Sequence, residues 1–212
     1  MPAKPTERQY RMLTRALAPV DSTEKHEKRI DSEYYVEGYA STFDDPYVLY
    51  KDSYDGTEYR EEIDPGAFDG ADMSDVIMQY DHRGHVFARM SNGTLIVEPD
   101  EHGLFVAADL GGSAAGRSMY EEIQNGLCTR MSWAFTVSES SYDRDTHTTR
   151  ILKVRKVYDV SAVSLPADPN TEIAARNMLN GAIEQERRES ALRRGRVRIA
   201  AATMALIRAR KR

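Results

Sequence analysis

A chain of 212 residues suits one domain of ordinary size with appendages and is long enough to bury a core. Its 41% apolar and 30% charged residues and net charge of −5 read as soluble and globular; no apolar run nears the ~20 residues of a membrane span, and the N-terminus lacks a signal peptide's apolar core. A single cysteine excludes an internal disulfide framework and fits a reducing compartment, so the expected setting is cytoplasm or a particle packaged from it.

Residues 1–31 are polar and rich in lysine and arginine, with weak helical spacing at Tyr10, Leu13 and Leu17, and read as a loosely ordered arm. The core starts with YYVEGYASTF, where Tyr35, Glu37 and Tyr39 alternate with Val36, Gly38 and Ala40 as in a strand. YREEIDPGAF predicts a charged strand end, a turn at Asp64-Pro65-Gly66 and a short helix opening at Ala67-Phe68. DVIMQYDH is a compact apolar run that predicts a buried strand ending at His82, and GTLIVEPDEHGLFVAADL predicts a hairpin. Ser113 is placed to cap a helix through Ile123, with Met119, Tyr120 and Ile123 on its apolar side and Gly126 as its stop.

A strand at TRMSWAF, a polar turn at SYDRDTH and two β-like runs, TTRILKVRKV and YDVSAVSL, follow. Pro166 and Pro169 punctuate the chain, and from Thr171 the pattern turns helical. Acids outnumber bases from Ser32 to Asn170, whereas the final stretch RRESALRRGRVRIAAATMALIRARKR is dense in arginine. There Leu192, Ile199, Leu206 and Ile207 fall near helical spacing among the basic residues. Such a terminus reads either as a tail with its own partner, acidic protein or nucleic acid, or as a helix with solvated charged faces. Six to eight short strands, one internal helix and a helical C-terminus describe an α+β chain centred on a sheet or barrel.

Ser132 is a hydroxyl in an apolar, β-prone run beside the only tryptophan. It reads either as a strand serine bonded to its neighbours or as a nucleophile on a rigid mount, and the second reading needs a base. Of the five histidines, His26 lies in the arm, and His102 and His147 lie in turns. His82 closes an apolar run, where rigidity can aim an imidazole, and positioned general-base catalysis contributes roughly 10²–10⁴-fold. Asp81, His82 and His85 together invite a metal reading, but a zinc site takes three or four ligands and the helical His-Glu-x-x-His pattern is absent, so no metal is expected. Cys128 is an alternative nucleophile or a small buried hydrophobe. Asp159 is either a buried carboxylate that an imidazolium would serve or a strand-edge acid facing solvent. DLGGSAAG lacks the lysine of a phosphate-binding loop and the Rossmann spacing, so no cofactor is expected.

Taken in order, VEGYASTFDD, EEIDPGAF, QYDHRGHVFARM, GLFVAADL, GLCTRMSWAF and VYDVSAVSLPADPN resemble the prohead, or capsid maturation, proteases of tailed phages. The resemblance runs from about Val36 to Asn177. It implies a fold similar to herpesvirus assemblin, a β-barrel-like core of about seven strands flanked by helices, with a serine protease site. Carried over, the family's histidine falls on His82 and its serine on Ser132. The third position, usually a glutamate before Val-Ser, is Asp159 here, and His85 is the rival because the herpesvirus relatives use a second histidine. Asp81 stands where many relatives have asparagine.

The implied organisation is an arm at 1–31, a protease domain at 32–177 and a basic helical tail at 178–212. The implied substrates are the scaffold or the scaffolding segment of the major capsid protein, and the protease itself, inside a procapsid in the host cytoplasm. Neither a membrane nor nucleic acid is an expected partner of such a protease, and homo-oligomerisation is left open. The oxyanion hole is placed at LPADPN, residues 165–170. The rival from another class is a non-catalytic scaffold protein that keeps the fold and works through its basic tail.

Overall fold

The computed structural model describes residues 8–13, 18–19, 28–163, 185 and 187–197. Among them the strands are β1 (Gln9–Leu13), β2 (Ala18–Pro19), β3 (Tyr35–Thr42), β4 (Tyr47–Lys51), β5 (Glu58–Ile63), β6 (Ile77–Tyr80), β7 (Arg83–Arg89), β8 (Leu95–Pro99) and β9 (Gly103–Asp109). Helix α1 (Ala114–Gln124) then leads to the two longest strands, β10 (Arg130–Asp143) and β11 (Thr148–Val163). The chain divides into two units, Lys4–Ala175 and a second made of Met1–Ala3 with Arg176–Arg212. Of the second, residues 187–197 are helical and mostly exposed, Leu192 and Val197 included.

In the larger unit β10 and β11 form an antiparallel hairpin at the centre of a seven-stranded mixed sheet. β1 pairs with the free side of β10, while β5 and β6 run parallel to opposite ends of β11. β4 and β7 extend those two branches. A second, antiparallel sheet has the order β2-β3-β9-β8. The architecture is α+β and rich in sheet, and among the described residues no pairing closes either sheet on itself.

The run Met131–Val137 is buried at every position, which is why it is mostly apolar on both faces instead of alternating, with Ser132 and Thr136 as its polar members. Trp133 stacks on Phe135, two residues along the same face, with ring centroids 3.8 Å apart. Truncating a buried tryptophan of this kind costs about 3–5 kcal/mol. α1 forms as its sequence predicts: the Ser113 side chain accepts the Gly116 N–H, and Gly126 just beyond takes a positive φ of 70°.

Five elements differ from the sequence expectation. Gln9–Leu13 is a strand of the central sheet, not part of a loose arm with helical spacing. TTRILKVRKV and YDVSAVSL join into one strand of 16 residues. β4 and β7 are strands that the sequence pattern left unmarked. Ala67-Phe68 lies in consecutive turns instead of a helix, because the Ala67 carbonyl accepts the Val154 N–H across to β11 and cannot propagate a helical ladder.

Candidate active site

β6 lies parallel to the end of β11, with Ile77 beside Asp159 and Tyr80 beside Ala162. The strand stops at Tyr80, so His82 sits in the connection to β7 and not at a strand end. That connection is two residues long, and both Asp81 and His82 have positive φ, 44° and 58°. Positive φ at both central residues is the pattern of a type I′ hairpin turn, which prefers Asn-Gly. Non-glycine residues held there cost of order 1–3 kcal/mol each, so the surroundings must hold them. They do: the Asp81 N–H donates to the Ala162 carbonyl at 3.1 Å, and the His82 N–H donates to Ser161 Oγ at 3.1 Å.

Ser132 lies in β10 between β1 and β11, opposite Met12 on one side and Ser161 on the other. Side chains alternate across a sheet, so Asp159 and Ser161 share a face of β11, and Ser132 projects from the same face of its neighbour. Small Ala134 is the residue opposite Asp159. The hairpin therefore presents Ser132, Asp159 and Ser161 together, and the β6–β7 turn brings His82 to them.

Ser132 Oγ is 2.6 Å from His82 Nε2, and His82 Nδ1 is 2.5 Å from Asp159 Oδ1. Asp159 is buried, 1% exposed, and a carboxylate there can only accept, which fixes the proton on Nδ1 and leaves Nε2 as acceptor for the Ser132 hydroxyl. The Ser132 hydroxyl has a second acceptor, the Arg11 carbonyl at 2.9 Å. The Tyr10 ring packs edge-on against the His82 ring at 4.7 Å between centroids. β1 is itself pinned: the fully buried Arg11 guanidinium donates to both carboxylate oxygens of buried Glu61 at 2.6 and 2.9 Å, and Tyr47 donates to the same carboxylate. Burial and that carboxylate push the Tyr47 hydroxyl well above its usual range.

The remaining sequence candidates fall outside this cluster. Cys128 is buried, and burial, reinforced by Asp81 and Glu122, pushes its thiol up to about 11, so almost none of it is thiolate near neutrality. His85 and Asp81 are exposed, and the Nδ1 that a second histidine would need to engage is held by Asp159. His102 is exposed in the β8–β9 turn, and His147 pairs with the Tyr142 hydroxyl at 3.1 Å. His26 and residues 165–170 lie outside the described residues.

Sequence reasoning missed Ser161, Tyr10 and Arg11. Ser161 was findable in principle, since a residue two positions from a candidate acid on one strand shares its face. The family described as caudovirus prohead serine protease matches residues 21–184, more than half of the chain. The match contains His82, Ser132 and Asp159 and begins after β1. Neither a curated protein nor a solved structure matches the chain.

Proposed function

The chain belongs to the caudovirus prohead serine proteases, and from that premise we propose that Ser132, His82 and Asp159 are its catalytic triad. The observation that carries the assignment is the unbroken line of contacts from Ser132 Oγ through the imidazole to Asp159 Oδ1. Ser132 Oγ attacks the carbonyl carbon of the scissile peptide as its proton passes to His82 Nε2. The tetrahedral intermediate collapses when Nε2 protonates the departing amine, leaving an ester on Ser132. His82 then takes a proton from water, the hydroxide attacks the ester, and the proton returns to Ser132 as the acid leaves. Asp159 holds the Nδ1 tautomer and stabilises the imidazolium without giving up its own charge.

A developing oxyanion needs backbone donors, worth ~10²–10³ in rate, and within this proposal they come from residues 165–170. The substrates are the scaffold or the scaffolding segment of the capsid protein, and the protease itself, cleaved inside the procapsid in the host cell. The two sheets make up a barrel-like core similar to that of assemblin, a reading supported by β3 of the second sheet lying against β10 and β1 of the first. The protease domain is 32–177, joined by β1 from the arm at 1–31, and the tail at 178–212 is an assembly tether that the enzyme removes.

The test is cleavage of the cognate head proteins, and of the chain itself, by the wild type, Ser132→Ala, His82→Gln and the double variant. Each single variant is expected to be inactive and the double no worse, because groups that act as a unit are not additive. Cleavage retained in Ser132→Ala and lost in Cys128→Ala would move the nucleophile to Cys128. Mass spectrometry after equal incubation checks the tail: the active protein shortens from its C-terminus, and Ser132→Ala stays full length.

A further inference from the structure

Ser161 is fully buried on β11, directly opposite Ser132 and two residues from Asp159. Its Oγ lies 3.1 Å from the His82 backbone nitrogen, 3.1 Å from Asp159 Oδ1 and 3.3 Å from His82 Nδ1. A hydroxyl has one proton to place among these three. The His82 N–H can only donate, so Oγ accepts there. A carboxylate can only accept, so the Ser161 proton goes to Asp159 Oδ1. Sending it to His82 Nδ1 instead would leave that nitrogen unprotonated against a carboxylate oxygen 2.5 Å away. One arrangement satisfies Ser161, Asp159 and the His82 N–H and Nδ1 together, and it leaves Nε2 as an acceptor facing the Ser132 hydroxyl.

We propose that Ser161 is a positioning residue for proteolysis, setting both the mount of the His82 ring and the direction of the Asp159 carboxylate. The proposal rests on the triad reading given above. Two physical effects support it. The Asp81-His82 turn holds two non-glycine residues at positive φ, and the Ser161 acceptor is one of the bonds that keep it there. Among the described residues Asp159 takes its hydrogen bonds from His82 Nδ1 and Ser161 Oγ, so there the serine supplies the donor independent of the imidazole. Without the hydroxyl, the part-buried His82 N–H loses its acceptor and the carboxylate loses its second anchor. A misplacement on the order of 1 Å in such a constellation can cost 10²-fold in rate.

The probe is a fluorophosphonate, whose fluoride is displaced by Ser132 Oγ, with the labelling rate followed against probe concentration in the full-length protein. Ser161→Ala is expected to lower the limiting rate about 10–10²-fold and to leave the half-saturating concentration unchanged. Ser161→Thr keeps the hydroxyl and should recover most of the rate. Ser161→Cys fills the space but hydrogen-bonds weakly, and should stay as slow as alanine. In an Asp159→Asn background the alanine change should cost much less than in the wild type, because its effect passes through Asp159 and His82. A wild-type limiting rate for Ser161→Ala, an effect on half-saturation alone, equal rates for threonine and cysteine, or full additivity with Asp159→Asn would each overturn the proposal. Ser132→Ala in the same assay separates the two readings. Labelling that persists there defeats the triad itself, whereas an unlabelled Ser132→Ala beside an unaffected Ser161→Ala defeats only the role of Ser161.

Discussion

The two ends of the β10–β11 hairpin use the same two strands and treat polar groups in opposite ways. At the site end, Arg130–Ala134 pairs with Asp159–Val163 in unbroken register, and the polar side chains Ser132, Asp159 and Ser161 are all buried. Further along, four register shifts fall between Ala134 and Ser140, and the polar side chains toward the tip are numerous and largely exposed. There Arg150 reaches Asp44, Glu62 and Asp64 at 2.6–2.8 Å while a third of its side chain stays in solvent. Bulges twist and bend a strand, which suits an end whose further sheet partner is β5. A one-residue slip at the site end would turn Ser132 to the opposite face, away from His82, so the proposed triad depends on register there. At the site end a few buried polar groups share a small, fixed set of partners, whereas at the tip many polar groups face solvent.

The largest effect that tests this contrast is expected at Asp159. Asp159→Asn should slow cleavage by about 10²–10⁴-fold, short of the complete loss in Ser132→Ala, because serine and histidine can still react while poorly aligned. His85→Ala should stay near wild type, since that side chain is exposed on β7. An inactive His85→Ala beside a near-normal Asp159→Asn would make the third member a histidine.

The next effect is on stability. Arg11→Ala strands Glu61, which is 0% exposed, and breaking a buried pair from one side costs about 3–5 kcal/mol in denaturant unfolding. Arg150→Ala at the distal end should cost about 1 kcal/mol or less, because exposed ion pairs exchange readily with water. Equal costs at the two positions would erase the difference between the ends.

The smallest effect is alkaline. The Cys128 thiol is raised from its ordinary 9.0 to about 11, so the stability gained by keeping it neutral is complete below pH 9 and is lost as pH rises through about 11. The Tyr35 and Tyr39 hydroxyls, raised from 10.0 to about 12 by burial and by Glu37 and Asp100 respectively, act with the same sign. Cys128→Ala should flatten the urea midpoint between pH 9 and 11 while leaving cleavage intact. A midpoint that falls just as steeply would place the alkaline transition in the tyrosines alone.

What could be read in advance follows from where each signal lives. The β8–β9 hairpin and α1 are local: a Pro/Asp/Gly turn and a Ser113 cap are written in adjacent residues. His82, Ser132 and Asp159 stood out as polar residues closing or interrupting apolar runs. β1 did not, because QYRML carries glutamine and arginine at its buried positions. Arg11 is buried only because Glu61 and Tyr47, far along the chain, are there to meet it. Ser161 was hidden for the opposite reason: a small hydroxyl in YDVSAVSL looks like any strand serine until the pairing partner across β10 is known. The turn at Ala67-Phe68 resisted for the same cause, its helical ladder being overruled by a carbonyl spent on β11.

The span of family similarity and the compact unit that holds Ser132 start at different residues, 21 and 4, and that matters to anyone choosing where to begin a recombinant protein. A version starting at residue 21 would keep Ser132, His82 and Asp159, the proposed triad, yet discard the strand at Gln9–Leu13. The edge of β10 would lose its ladder beside Ser132, exposing a row of unpaired amides of the kind that recruits other chains. Glu61 would remain buried without its guanidinium, and the imidazole would lose the Tyr10 ring that flanks it. Such a trimmed protein would fail through insolubility, and its silence in an assay would say nothing about the triad.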